Sequence, residues 1–256
     1  MSSRQVGKSW SLAFLSVYKA LSKRNGLSLC ISTGARSANE LIKKCEQMAY
    51  AANLLSNGAL SYTASADTIK FANGCRVISL PSGNATALRG WSSQCILIDE
   101  CAFIDRPNDV YSAIVPTLTR DKEAELVVAS TPAGKKGLFW DLWNNADESW
   151  HKQCTTILDA KAQGLDVDVD ALRKMTIDPE MFDIEYMCKF ADSYGSFIDS
   201  NLIDWYDDEP TGIDGRYLGM DIGSRQDRSA ITTLLTKGDC MYVSDIAILN
   251  KVEYER

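Results

Sequence analysis

Apolar residues recur along this chain in two rhythms: short unbroken runs, and longer stripes spaced three and four apart. The runs Leu27–Ile31, Cys95–Ile98 and Glu125–Ser130 read as buried strands, the kind that parallel sheets use when both faces are covered. Stripes between them predict helices. The first runs from Ser9 through Arg24 with Leu12, Phe14, Leu15, Val17, Tyr18 and Leu21, broadly buried, and is stopped by Asn25-Gly26. The second covers Ser37–Leu55, with Leu41, Ile42, Cys45, Met48, Ala49 and Ala52 on one side. Further helices are predicted over Val110–Leu118, Leu138–Trp143 and Pro179–Phe190. Thr68–Phe71 and Cys75–Leu80 flank Ala72-Asn73-Gly74 and read as a hairpin with an Asn-Gly turn. His151–Ile157 reads as a strand, and the acidic alternation Asp166–Asp170 as a turn leading into a helix rather than a metal site. Strands separated by helices predict an α/β sheet that binds its ligands at the C-terminal ends of the strands.

The pattern changes near residue 204. Asp204–Gly215 is dense in acids with Gly and Pro, the composition of a linker. Beyond it, apolar runs within Arg216–Gly223, Ala230–Leu235 and Met241–Leu249 predict an antiparallel meander. The expected division is therefore 1–203, a linker at 204–215, and a second unit at 216–256.

Composition narrows the chemistry. The chain has 256 residues, 45% hydrophobic and 24% charged, an ordinary soluble globular balance, with no apolar run long enough for a membrane span and no signal peptide. Its eight cysteines form no C-x-x-C pair and read as small reduced core residues of a cytoplasmic protein. His151 is the sole histidine, which disfavours zinc sites and Ser-His-Asp triads. A net charge of −7 argues against a protein that coats nucleic acid over its whole surface, while leaving room for local basic groups at 19–24, 135–136 and 216–228.

Candidate chemistry starts at Gly7-Lys8-Ser9, the closing half of a phosphate-binding loop just ahead of the first helix. Backbone N–H groups at such a junction can cradle a polyphosphate, with Lys8 reaching the β/γ-phosphates and the Ser9 hydroxyl ligating Mg²⁺. The general pattern has a Gly five residues before Gly7, where this chain has Ser2. Only Met1 and Ser2 precede the motif, so the strand that normally leads into such a loop, and any segment that holds the base, are expected outside this sequence, in a fragment or a truncated chain. The run Cys95–Ile98 ends in Asp99-Glu100. Asp99 suits a metal held through its water shell, and Glu100 suits orienting or deprotonating an attacking water. A core strand ending in a solvated acidic turn is the plainer reading; the pairing with Gly-Lys-Ser favours a nucleotide hydrolase. Ser130-Thr131-Pro132, at the end of the 125–130 strand, either senses the γ-phosphate or is a plain strand-end turn. Gly134-Lys135-Lys136-Gly137 is a phosphate binder or a flexible loop. Asp221, on the first strand of the meander, is either structural or the first ligand of a two-metal nuclease site.

With those residues in view, the chain resembles the large subunit of tailed-phage terminases, the motors that package and cut viral DNA. The phosphate loop of that family has the deviant form S-R-Q-x-G-K-S/T, matched by Ser3-Arg4-Gln5-Val6-Gly7-Lys8-Ser9. Arg89-Gly90, Asp99-Glu100-Cys101-Ala102-Phe103, Ser130-Thr131-Pro132 and Gly219-Met220-Asp221-Ile222-Gly223 follow in the family's order. The resemblance implies a P-loop NTPase sheet of the RecA/ASCE type flanked by helices, followed by the first strands of an RNase H-like domain. It implies that Arg4, Gln5, Gly7, Lys8 and Ser9 bind the nucleotide, that Ser9 and Asp99 hold Mg²⁺ with ATP, and that Glu100 is the catalytic carboxylate. Arg4 would sense the γ-phosphate in cis, Arg89 would be a finger offered to a neighbouring subunit, and Ser130 and Thr131 would couple turnover to movement. Asp221 would be the first nuclease ligand, for Mg²⁺ or Mn²⁺ in the complete domain, with no cleavage expected from a chain ending at Arg256. The implied partners are double-stranded DNA, the terminase small subunit, the portal protein and further copies in a ring, with no membrane, in the host cytoplasm. Two other readings stay open: a helicase-type P-loop ATPase, which would carry a second ATPase-like domain after residue 215, and a non-catalytic truncated prophage remnant.

Overall fold

The computed structural model describes residues 1–83, 85–118, 123–144, 149–191, 208–222 and 229–249. Asp227, Gly223 and the first part of the expected linker, 204–207, lie outside these residues, as does the expected boundary at 203. The chain forms two compact units, Met1–Ser200 and Asn201–Arg256.

In the first unit a six-stranded mixed sheet has the order β2-β3-β4-β1-β5-β6. Its strands are β1 (Leu27–Ser32), β2 (Tyr62–Ala64), β3 (Thr68–Phe71), β4 (Arg76–Pro81), β5 (Cys95–Asp99) and β6 (Glu125–Ala129). β4, β1, β5 and β6 are mutually parallel, while β3 pairs antiparallel with β2 and with β4 through the Asn73-Gly74 turn. Every residue of β1 and of β5 is buried, as continuous apolar runs require. β6 is only partly buried and borders the sheet among the described residues, so the expectation of a fully buried strand is corrected to an edge position.

Strand alternation divides the core in two. On one face, Cys30, Val77, Cys95 and Leu97 meet Leu12, Ala13 and Val17 of α1 (Lys8–Leu21) and Leu41, Ile42 and Cys45 of α2 (Ala35–Leu55). On the other, Leu29, Ile31, Ile96 and Ile98 meet Val110, Ala113 and Ile114 of α3 (Pro107–Leu118) and Leu138 and Phe139 of α4 (Leu138–Asn144). Each fully buried Leu or Ile contributes about 1.5–3 kcal/mol, so these layers fix the sheet between its helices. α1 is less buried than its composition suggests: Phe14 and Tyr18 stack on each other at the surface with ring centroids 6.1 Å apart. The buried stripe uses the smaller Ala13, Ser16 and Ala20, which let α1 lie close to the sheet.

A third cluster joins Ile157, Val169 and Phe182 from α5 (Ile157–Ala162), α6 (Val169–Met175) and α7 (Pro179–Glu185). Two expectations fail here. His151–Ile157 is not a strand but an irregular lead with one parallel bridge, Thr155 to Ser2, before Thr156 caps α5 in a reciprocal box with Asp159. α7 stops at Glu185 rather than near Phe190, because Cys188 takes a left-handed backbone, φ 57°, that an α-helix cannot continue. The acidic stretch 166–170 is a helix start as expected, with Asp168 capping α6 through the amide of Ala171.

The second unit is a three-stranded antiparallel meander of β7 (Gly215–Asp221), β8 (Ser229–Lys237) and β9 (Cys240–Leu249), with a register shift at Thr233/Leu234. Leu235 is buried, while Tyr217, Leu218, Met241 and Ile246 are exposed. All eight cysteines are free and six are buried, in keeping with reduced core residues; Cys154 and Cys240 are exposed. Among the described residues no helix is long and apolar enough to cross a membrane.

Gly26, which turns the chain from α1 into β1, tests this packing. A Cβ there would lie 2.2 Å from the Ala20 carbonyl oxygen, a backbone atom that cannot step aside. Gly26→Ala is expected to destabilise the protein by about 1–3 kcal/mol in urea unfolding. Gly83→Ala, whose Cβ would meet nothing within 4 Å, should leave stability unchanged or slightly raised.

Candidate nucleotide site

The loop from Ser3 to Gly7 is held by backbone at its start and free at its end. Ser2 N–H donates to Ser130 O at 3.1 Å, Ser3 N–H to Thr155 O at 2.8 Å and Arg4 N–H to Glu185 O at 3.0 Å. Gln5 and Gly7 then take left-handed backbones, φ 59° and 91°, and α1 begins with no side-chain cap. The amides of residues 5 to 9 find no acceptor among the described residues. Alternating left- and right-handed residues turn successive N–H groups into one concavity, and a helix N-terminus adds its positive end. This is a cradle for an anion with several oxygens.

Against the cradle stands the C-terminal end of β5. Lys8 Nζ donates to Glu100 Oε1 at 2.8 Å, and Ser9 Oγ to Asp99 Oδ2 at 3.2 Å. Alternation along β5 turns Cys95, Leu97 and Asp99 toward α1, so the strand that builds the core also delivers the carboxylate. Asp99 is 7% exposed, and burial, followed by the charge of Glu100, pushes its carboxyl above the ordinary aspartate range; Lys8 and the Ser9 hydroxyl only partly oppose this. Glu100 has φ 55°, a left-handed backbone that costs a non-glycine residue about 1–2 kcal/mol. That bend turns its carboxylate off the strand axis toward Lys8, while its N–H donates back to Asp99 Oδ1 at 3.1 Å. Glu100 Oε2 and Thr131 Oγ1 are buried without a hydrogen-bond partner. Buried orphans beside open amides fit a polar ligand, and the donor set of one hydroxyl and one carboxylate suits Mg²⁺, which retains several waters and takes phosphate oxygens.

The other expected residues divide into two groups. Ser130 is close: buried at the end of β6, it accepts from Ala102 N–H through Oγ at 3.2 Å and from Ser2 N–H through its carbonyl, so it links β6, the turn after Glu100 and the loop. Arg4 is close in sequence but is committed elsewhere, its guanidinium paired with the buried Glu185 carboxylate of α7. Glu185 was not anticipated: a single acid in a helical stretch does not show that its face is buried or which cation will meet it. Val6 also packs against the α5–α7 cluster, so the loop and those three helices touch at two points. Arg89 is not brought to the cradle. It is exposed on the turn after a short 3-10 helix (Ala85–Leu88) and lines one cleft with Trp91 and Ser112 and another with Ser82, Asp105 and Arg106. Asp221 is exposed at the end of β7, and among the described residues no group of three or more His, Cys, Asp or Glu could hold a metal.

A family model described as terminase large subunit, T4-like virus type, N-terminal, matches residues 1–204. The chain belongs to that family. It carries the ATPase of the terminase large subunit, the DNA-packaging motor, and this decides against a helicase of another family. Solved terminases share the fold. The large terminase ATPase domain of Thermus phage P74-26 is 18% identical over 74% of this chain and 86% of that one, with a TM-score of 0.57. The large terminase of a second thermophilic bacteriophage, solved in complex with ADP, is 13% identical over 97% of this chain and 62% of that one, TM-score 0.58. The large terminase of bacteriophage HK97 is 17% identical over 96% and 57%, TM-score 0.57. This terminase chain thus spans about three fifths of the length of the latter two proteins.

The raised Asp99 carboxyl makes a signed prediction. A carboxyl whose folded pKa lies above its ordinary 3.8 adds stability that is full below that value and lost as pH rises through the folded one. The ionised Asp99 is therefore a cost at neutral pH when no metal is bound. Asp99→Asn should raise the melting temperature of the metal-free protein at pH 7. The gain should vanish as the melts are taken to acid.

Proposed function

We propose that this chain hydrolyses ATP between Lys8 and Glu100 and that the turnover drives double-stranded DNA into a procapsid. The observation that carries the reading is the 2.8 Å ion pair between the two, at the mouth of a loop with open amides. Gln5, Gly7, Lys8 and Ser9 would hold the polyphosphate. Ser9 and Asp99 would hold Mg²⁺, which when bound neutralises charge on the β- and γ-oxygens. Lys8 would transfer its ammonium from Glu100 to the phosphates, leaving that carboxylate free to orient a water and take its proton.

Arg4 is the residue on which motion turns in this reading. Its guanidinium is balanced by Glu185 here, and a γ-phosphate is the anion that would compete for it. Exchanging partners would remove the ion pair between the loop and α7 while the backbone bond from Arg4 to Glu185 remains, so the α5–α7 helices would shift with the state of the nucleotide. Ser130 and Thr131 would carry the same signal through β6. Arg89, exposed and away from its own cradle, would be offered to the neighbouring copy in a ring, where such a cation is typically worth about 10³–10⁵ in rate. The small subunit and the portal protein are the further expected partners, and DNA contacts through the phosphate backbone should weaken steeply with salt. Residues 216–256 would open an RNase H-like nuclease domain with Asp221 as its first metal ligand.

Replacing the proposed base tests the assignment. Glu100→Ala should lower DNA-stimulated ATP turnover by about 10²–10⁴-fold while ATP binding stays within a few-fold of wild type. Turnover that survives the substitution would remove Glu100 from the site.

A further inference from the structure

We propose that Ser32 is a third polar side chain of the Mg²⁺ site, accepting a hydrogen bond from a water in the ion's hydration shell beside Asp99. This rests on the nucleotide reading above and adds a residue that no motif in the sequence marks.

Strand register sets Ser32 beside Asp99. β1 and β5 pair in parallel with Ile31 opposite Ile98, so the next residues, Ser32 and Asp99, stand level at the C-terminal edge. Alternation sets their direction. Leu27, Leu29 and Ile31 belong to the core on the α3–α4 face, whereas Cys30 meets Ser16 of α1 at 3.2 Å. Ser32, two residues beyond Cys30, therefore points to the α1 face, as does Asp99, which accepts from Ser9 at the first turn of α1. Adjacent strands lie about 4.8 Å apart, a separation at which two side chains of one face can share a water.

Burial supplies the second observation. Ser32 is 1% exposed and its Oγ has no hydrogen-bond partner, although its carbonyl accepts from Ser82 N–H at 2.8 Å. Buried hydroxyls are normally satisfied, so an orphan level with a buried carboxylate is a group waiting for a ligand. Mg²⁺ dehydrates reluctantly and keeps several waters, each of which needs an acceptor for its protons. Asp99 accepts from the Ser9 hydroxyl on one oxygen and from Glu100 N–H on the other, so a metal-bound water there has one proton for a remaining Asp99 lone pair and one for the Ser32 hydroxyl. Ser28 provides the comparison. Its hydroxyl is also buried and orphaned on the same face, but it pairs with Cys95 at the opposite end of the strand, about 13 Å away at 3.3 Å per residue. A serine that only fills volume looks like Ser28; Ser32 differs by standing at the edge where ligands bind.

The test measures metal dependence of binding, separately from turnover. The full chain is titrated with a fluorescent ATP analogue at increasing Mg²⁺ and again in excess chelator, and Mn²⁺ bound with ATP is followed by electron paramagnetic resonance. Ser32→Ala should raise the Mg²⁺ needed for half-maximal binding about tenfold, the usual cost of losing an outer-shell partner, with unchanged affinity in chelator. The isosteric pair Ser32→Thr and Ser32→Val separates hydroxyl from packing: Thr should behave as wild type and Val as Ala. Ser28→Ala should leave the Mg²⁺ requirement unmoved. Ser32→Ala and Ser32→Val within twofold of wild type, or an equal shift in Ser28→Ala, would overturn the proposal. A wild-type protein whose ATP binding ignores Mg²⁺ would overturn the nucleotide reading itself, and this inference with it.

Discussion

The structure depends on one constraint: the parallel register that sets the N-terminus of α1 over the C-terminal end of β5. Lys8 and Ser9 open the helix, Asp99 and Glu100 close the strand, and the two ends meet in an ion pair and a hydroxyl–carboxylate bond. Neither end could hold that geometry alone. The helix is kept in place by Leu12, Ala13 and Val17 against Cys30, Cys95 and Leu97, and the strand by full burial on both faces. The apolar layers thus determine the position of four polar groups to within hydrogen-bonding distance.

The C-terminal edge gives up stability for that arrangement. Glu100 sits in a left-handed backbone, Asp99 is buried with its ionised form disfavoured, and the hydroxyls of Ser32 and Thr131 lack partners. Departures of this kind cluster where a ligand is meant to complete the structure. They occur beside a loop whose amides are likewise open. The helices α5–α7 meet this edge through Arg4 with Glu185, by an ion pair and a backbone hydrogen bond, and through Val6, so a change at the loop reaches them through polar and apolar contacts together.

Much of this is legible in the sequence because it is written in local pattern. The unbroken run before Asp99-Glu100, the Asn73-Gly74 turn and the stripe of α2 each have one physical reading, and the structure follows them. His151–Ile157 misleads because the β-branched Thr155, Thr156 and Ile157 favour a strand, while Thr156-x-x-Asp159 is a capping pattern that marks the start of a helix. The sequence pattern overextends α7 because nothing in Cys188 announces a left-handed residue. Phe14 and Tyr18 are expected in the core, yet the close approach of α1 to the sheet uses its small residues instead. Glu185 and Ser32 are not visible at all. Their positions depend on which element folds over which edge, and an isolated Glu in a helix or Ser in a strand carries no such information.

The most direct measurement is a crystal structure of this chain with Mg²⁺ and a slowly hydrolysed ATP analogue. The account predicts the triphosphate in the 5–9 amide cradle, Lys8 Nζ moved from Glu100 onto the phosphates, and the Glu100 carboxylate turned to a water in line with the γ-phosphate. An analogue bound elsewhere, or one that leaves the Lys8–Glu100 pair intact at 2.8 Å, would contradict it.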